Sequence, residues 1–446
     1  MLGHRRLTAL SAALVVVAAA CDWGMTGYGP ARAGFSSQEQ AITAANVDGL
    51  TEAWNSGPGV ATTGPVAGSG KVFVTAGPGT VDNPASLDAY PVDAAANCRG
   101  SEPSVCSPSW SVAFPYRNPV GPKSPVTVST PTLDSGSVYV GVSSLGEFGQ
   151  FSHTEAFDAS TGAARSQYLI HGGSGSAAIG EGVLAASVVD VVKPSPGPMW
   201  FNTLVVDDIT TGGLRFIAAT GSASGFPTFA TFSSPSISHG VVYALATDAL
   251  FAYDARGVLN CGNAPIPVGP VCLPLWSAPI RAAGGWDAMP AVANGLVYVP
   301  ELDGHVEVFS ASGCGATTCG PLWSAAAGSS HLTPVAVTGT TLFTASGDGR
   351  LSAFAASGCA TTTCAPLWTA TLGGAAGQPS IAGALVFVGS DAGTLSAFTT
   401  SGCGKTTCGA IWSTTVGAPL RTAPAISNGH VFVTDDAGTL HAYRLR

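Results

Sequence analysis

Eleven cysteines are the residues best equipped for chemistry in this 446-residue chain, and ten of them fall into close pairs. The pairs are Cys98/Cys106, Cys261/Cys272, Cys314/Cys319, Cys359/Cys364 and Cys403/Cys408. A metal site would need ligands converging from several segments. The eight histidines are scattered and do not accompany the pairs, so the spacing predicts local disulfides and no metal. Small closed loops of this kind are expected to stop exposed tips from fraying. Cys21 is left over, and an odd cysteine in an exported chain needs its own explanation. The acidic candidates are Glu147, Asp158, Asp190, Asp207, Asp208, Asp287, Glu301 and Asp303, most of them in turn-like sequence. Asp207-Asp208 with Asp190 is the one modest grouping, and a hard cation there would need several converging oxygens. His305 and His331 have no nucleophile beside them, so no hydrolytic triad and no catalytic residue is assigned.

The start of the chain reads as an export signal. Met1 to Arg6 carry the charges, Leu7 to Ala20 form an apolar stretch, and small residues Ala18-Ala19-Ala20 close it, giving residues 1–20 as a signal peptide. The stretch is too short to span a bilayer. Ala18-Ala19-Ala20-Cys21 resembles a bacterial lipobox, which makes Cys21 the expected lipidated N-terminus. A plain secreted protein cleaved nearby is the alternative. A diacylglycerol thioether would supply two acyl chains, enough for stable anchoring. The expected place is therefore the outer face of the cell membrane, periplasmic or cell-surface. A net charge of −9 with no basic stripe argues against nucleic acid as a partner.

What positions these residues is a repeat. Pro290-Ala-Val-Ala-Asn-Gly-Leu-Val-Tyr-Val, Pro379-Ser-Ile-Ala-Gly-Ala-Leu-Val-Phe-Val and Pro424-Ala-Ile-Ser-Asn-Gly-His-Val-Phe-Val are copies of one cassette. Further copies start at Pro65, Pro131, Pro235 and Pro334, and a degraded one at Ala177, making eight. Each is a short apolar strand, a tight turn and an alternating strand rich in β-branched and aromatic residues. Asn294-Gly295 and Asn428-Gly429 supply the two positive-φ positions of a hairpin turn. A second turn follows, as in Leu302-Asp-Gly-His305, then a third strand ending in an aromatic. After a loop that carries the cysteine pair comes a fourth strand with Trp276, Trp323, Trp368 or Trp412. Four strands in roughly 45 residues make a propeller blade. The fold class is therefore all-β: an eight-bladed β-propeller of four-stranded antiparallel blades over residues 50–446, preceded by a lead-in at 21–49. The eighth blade lacks its Trp strand, and Leu50-Thr-Glu-Ala-Trp54 is expected to supply it and close the ring.

The repeats resemble the pyrroloquinoline-quinone-like propeller family. Its signature, Ala-x-Asp-x-x-Thr-Gly followed by Trp, is matched by Ala156-Phe-Asp158-Ala-Ser-Thr161-Gly162 and nearly by Val206-Asp-Asp208-Ile-Thr-Thr211-Gly212. The Asp and Thr-Gly read as an Asp-initiated turn, with the Trp packing between blades. The quinone-dependent dehydrogenases of the family hold the quinone between a Trp and a ring of two adjacent cysteines, beside Ca²⁺. No Cys-Cys dipeptide occurs in this chain. The resemblance to the family's non-catalytic lipoproteins, which serve outer-membrane assembly, implies a monomeric, membrane-anchored protein-binding or scaffolding propeller with no cofactor. A dehydrogenase using pyrroloquinoline quinone and calcium is the alternative, and a glycan binder a further one. Between Gly141 and Cys272 the β pattern is broken by aromatics and proline. Trp200, Phe201, Phe226, Phe229 and Phe232 are the candidate partner contacts there, with a small core of their own under long loops as the alternative.

Overall fold

The computed structural model describes residues 22–446 apart from 81, 94–96, 115–125, 147–148, 169–175, 193–198, 224–225, 264–268, 282–287 and 329–330. Cys21 and the signal segment lie outside the described residues. Eight antiparallel sheets stand around a central channel as an eight-bladed propeller, and most blades are four-stranded. The inner strands are Val66–Gly68, Thr132–Asp134, Ala178–Gly180, Ser236–Ser238, Ala291–Ala293, Ala336–Val337, Ser380–Ala382 and Ala425–Ser427. Each starts just after the proline or alanine at which a cassette was anchored. Among the described residues no helix is long and apolar enough to cross a membrane.

The ring closes as the sequence implies. Leu50–Asn55 pairs antiparallel with Leu440–Leu445, from Leu50 opposite Leu445 to Asn55 opposite His441, and becomes the outermost strand of the eighth blade. Trp54 is fully buried and donates its indole N–H to the Val92 carbonyl at 3.0 Å.

Adjacent blades are joined by aromatics. The third strands carry Tyr90, Phe157, Tyr253, Phe309, Phe354, Phe398 and Tyr443 at one register position, and each is buried. Trp54 stacks on Tyr90 (5.7 Å between centroids), Phe216 packs on Tyr253 (6.3 Å), Trp368 on Phe398 (6.2 Å) and Trp412 on Tyr443 (5.9 Å). In every pair the first ring comes from one blade's outermost strand and the second from the following blade. Close packing of such rings adds about 1 kcal/mol beyond their burial. The third blade departs from this rule, with Asp207 where the others have an aromatic. Its counterpart at the Trp position of the second blade is Ser166, which pairs with Ala156.

Five disulfides close the expected pairs. Their loops do more than brace tips. Each reaches back and adds a parallel segment to the outermost strand of the preceding blade. Ser104–Cys106 lies beside Trp54 and Asn55, Pro270–Cys272 beside Ile217 and Ala218, and Thr363–Cys364 beside Ser324 and Ala325. Thr318 bridges to Ser277 and Thr407 to Thr369 in the same sense. The loops are latches between blades, and they cover edges that would otherwise expose unpaired backbone groups.

The lead-in is woven into the ring. Trp23 exchanges backbone hydrogen bonds with Ala67 of the first blade, and Gly24 accepts one from Leu133 of the second. Pro30, Ala31, Ala33 and Gly34 accept in turn from Ile237, Val292, Val337 and Ile381, and Phe35–Ser36 pairs parallel with Ser380–Ala382. Glu39 then accepts from Gly429 of the eighth blade. Residues 22–39 thus spiral around the lower end of the channel, where the inner strands terminate.

Candidate functional site

The upper end of the channel, where the inner strands begin, opens as a funnel of about 600 Å³. Its wall is the residue or two before each inner strand, from Thr62–Pro65 round to Thr422–Ala423, and Thr26 of the lead-in contributes to its floor. Thr62, Thr333 and Thr422 donate their hydroxyls to the carbonyls of Thr75, Ala345 and Thr434, so these side chains bind the wall to itself. Ser176 Oγ and Gln378 Nε2 are buried there without a hydrogen-bond partner. The one lining carboxylate, Asp391, is held by Arg421 (Nε to Oδ1 2.9 Å), which also pairs with Asp436.

Under the funnel floor lies Arg32, 1 % exposed. Its guanidinium donates to the carbonyls of Pro235 (2.5 Å), Thr26 (3.0 Å) and Ser176 (2.7 Å), and touches Met289 Sδ at 3.1 Å. Burial lowers its pKa to about 9, which leaves it charged at neutral pH. Compensation comes from carbonyl dipoles, and the result ties the lead-in to the third, fourth and fifth blades. Nothing in the repeat pattern marked Arg32 as structural. The available signal was a lone charge between glycine- and proline-rich residues, and the sequence reading left it in the lead-in.

A planar quinone needs an apolar slot between rings, and its cation needs converging oxygen ligands. Among the described residues the funnel lining offers no aromatic ring except the imidazole of His331, and its single carboxylate is already paired. Among the described residues no group of three or more His, Cys, Asp or Glu could hold a metal ion. The described lining residues do not fit a quinone with calcium.

The acidic candidates separate into three environments. Asp158 and Asp208 build the Asp-initiated turns read from the signature. Asp158 Oδ1 accepts the N–H groups of Ser160 and Thr161, and Asp208 Oδ1 those of Thr210 and Thr211. Arg165 and Arg215 each pair with the second oxygen at 2.6 Å. These contacts hold the Asp158 carboxyl well below its usual range, and lower that of Asp208, led by Arg215, to about 2.

Asp207 points the other way along its strand. It is 1 % exposed with neither oxygen hydrogen-bonded, and desolvation pushes it up to about 8. The grouping with Asp190 does not form. Asp207 pairs with Leu184 near one end of the hairpin, whereas Asp190 pairs with Phe201 near the other.

Glu301, Asp303 and His305 meet at the upper rim of the fifth blade, together with Glu307 and Arg281, which the sequence reading did not single out. Glu301 Oε1 accepts from the Arg281 backbone N–H (2.9 Å), while Arg281 reaches Asp303 (3.0 Å) and Glu307 (3.5 Å), and His305 lies 3.1 Å from Asp303. Desolvation, and then the neighbouring Glu307 and Asp303 charges, push Glu301 up to about 7. His331 lines the funnel in the next blade, apart from this group. Glu147 and Asp287 lie outside the described residues.

The expected partner contacts are only partly described. Trp200 and Phe201 stand on the long strand Met199–Asp208 and Phe226 on Phe226–Thr228, with their side chains outside the described set. Phe229 packs against the cluster of Val188, Val205, Ile217 and Val271. Phe232 is not a surface residue. It is 1 % exposed and sits edge-on to Phe251 and Tyr253, 5.7 and 6.2 Å between centroids, so the broken pattern there conceals core.

The family described as outer membrane protein assembly factor BamB matches residues 312–405 and 359–445, the last blades of the ring. No curated protein matches the chain. Among solved structures it is similar to a europium-containing methanol dehydrogenase, with TM-score 0.58, 12% identity, 95% of this chain and 98% of that one. It is also similar to BamB from Moraxella catarrhalis, with TM-score 0.53, 14% identity, 89% of this chain and 98% of that one. The computationally designed Ika8 protein aligns with TM-score 0.56 and 14% identity over 88% of this chain and 99% of that one. At these identities the likeness is one of fold, and it defines the class: a closed eight-bladed propeller. With the repeat signature in its blades, the chain is a pyrroloquinoline-quinone-like propeller protein.

Proposed function

We propose that this protein is a non-catalytic, membrane-anchored propeller that binds or scaffolds another protein outside the cytoplasmic membrane. The observation that carries the reading is the channel. Its lower end is filled by the lead-in and fixed by Arg32, and its upper end is a hydroxyl-lined funnel that, among the described residues, has no ring but the His331 imidazole and no unpaired carboxylate. A ring built this way offers its faces and outer wall for contact and little at its centre for redox chemistry. Five disulfides accord with an exported protein, since such bonds persist in oxidising compartments. Anchoring through Cys21 accords with the start of the chain, and the pinning of Asp22 near Ser69 would keep that anchor at the lower face.

Titration of the purified protein with pyrroloquinoline quinone and Ca²⁺ tests the reading. We expect no saturable binding and no dye-linked dehydrogenase activity, and either one would overturn it. Mass spectrometry of the mature N-terminus tests the anchor separately, because an unmodified Cys21 would exclude it.

A further inference from the structure

The latches define a docking site by their chemistry, and one copy of that site is open. In the fourth, fifth and sixth blades the outermost strand begins with Trp276, Trp323 or Trp368, followed by Ser277, Ser324 or Thr369. The latch from the following blade engages both residues. Its Gly313, Gly358 or Gly402 covers the indole, and its chain then runs parallel to the strand. The N–H of Ser277, Ser324 and Thr369 donates to the carbonyl of Thr317, Thr362 and Thr406, at 2.8 to 2.9 Å. Cys319 and Cys408 donate back to the carbonyls of Ser277 and Thr369. So covered, the three tryptophans are 4 to 6 % exposed.

The seventh blade repeats the receiving half without the latch. Its outermost strand, Trp412–Thr415, pairs inward with Thr394–Thr399, and among the described residues nothing pairs with its outer side. The reason is topological: the eighth blade takes its last strand from Leu50–Asn55, so no loop runs from its third strand to its fourth. Ser413 keeps the residue type that receives a latch and is exposed, and Trp412 is only partly buried beside Ile411, itself 38 % exposed. The outermost strands of the first and second blades are also unlatched, and the second, Ala164–Tyr168, has Ser166 at the Trp position and so no indole to cap. In the first blade Gly162 already covers Trp110, and the Ser111 hydroxyl is bonded to Asp88.

Resting on the reading of this protein as a binding module, we propose that the Trp412–Thr415 edge takes an extended segment of a partner protein. The segment runs parallel to the strand, has no acidic residue where it pairs and is rich in Thr or Val, and is preceded by a glycine turn that caps Trp412. The occupant is specified by the five latches this chain makes for itself. Main-chain pairing at a sheet edge supplies affinity, and a partly exposed Trp supplies an anchor.

The test uses a disulfide-closed synthetic peptide of residues 400–409, the chain's own sixth-blade latch, titrated into the full mature chain with the Ser413 amide and Trp412 indole followed by NMR. We expect saturable shifts at both groups, and at least a tenfold weaker interaction for Ser413→Pro. The proline removes an N–H that faces solvent on an edge strand, where it is tolerated. The same loss is expected when the intact protein meets a peptide N-methylated at the Cys408 amide, the group that would donate to Ser413. No shift at Ser413, or equal binding of the N-methylated peptide, overturns the assignment. Self-association that Ser413→Pro abolishes also overturns it, since a second copy would then be the occupant. These failures leave the binding role standing on another surface, whereas quinone binding would strike that role whatever the peptide does.

Discussion

The Cα of Gly358 lies against the indole of Trp323 so closely that an added methyl would stand 2.8 Å from ring atoms Cδ1 and Nε1, and its φ is +85°. The same relation joins Gly313 to Trp276 and Gly402 to Trp368, so one glycine in each Ser-Gly-Cys turn serves the preceding blade as well as its own. Gly358→Ala meets both the clash and the left-handed backbone. We expect a loss of about 3 kcal/mol in urea unfolding, against about 1 kcal/mol for Gly315→Ala, where φ is equally positive but nothing lies within 4 Å. Equal losses at the two positions would mean that backbone conformation and not the indole sets the cost.

Asp207 makes the third blade pH-sensitive. Its carboxyl rises from 3.8 to about 8 on folding, so the folded state holds a proton that the unfolded chain releases. Stability conferred by the protonated form is present below pH 4 and is lost as pH climbs toward 8. Asp207→Asn is expected to flatten that part of the profile. Asp207→Leu is expected to stabilise the protein at pH 8 by roughly 1–3 kcal/mol, the range for relieving a buried unpaired polar group. Thermal melts of the variants from pH 4 to 8 check both. Glu301, raised to about 7, contributes in the same direction, so some slope should survive in Asp207→Asn.

Removing Arg32 tests the weave of the lead-in. Arg32→Ala strands the carbonyls of Thr26, Ser176 and Pro235 below the funnel, and a cost of about 3 kcal/mol is expected. Hydrogen exchange should quicken first at Trp23, Ile237 and Val292, whose amides bond along this path. Faster exchange spread evenly over all eight blades would instead point to a loss of the whole ring.

Breaking a latch has a local signature. Replacing Cys314 and Cys319 by Ser opens a short loop and is expected to cost about 2 kcal/mol. The Ser277 amide, which donates to Thr317, should lose protection while the Asn55 edge, covered by Ser104–Cys106, keeps it. Protection unchanged at Ser277 would show that the latch holds without its disulfide.

Periodicity made most of the fold legible. The eight cassettes, the Leu50–Asn55 closing strand, the Asp158 and Asp208 turns and the cysteine pairs all follow from local patterns that repeat. Relations made by a single residue with distant strands were not legible. Arg32 bonds residues 144 and 203 positions away, and no local rule marks such a partner. The latches were half visible: their spacing revealed the disulfides, but which edge a loop covers is decided by the twist between blades. Phe232 failed as a surface residue because a long loop can carry a core side chain where the strand pattern stops. The candidate site suffered most, since the funnel is assembled from one short segment per blade and none of these has a motif of its own.

The closing strand has a consequence for how the molecule comes to exist. Leu50–Asn55 pairs with Leu440–Leu445, which is synthesised long after it. Contacts of such long sequence separation pay their loop-closure entropy late and form slowly. Until the final strand emerges, the first has only the Ser104–Cys106 latch beside it, and a nascent chain has no complete ring to lock. Truncation before Leu440 should leave an open ring whose eighth blade has two exposed edges.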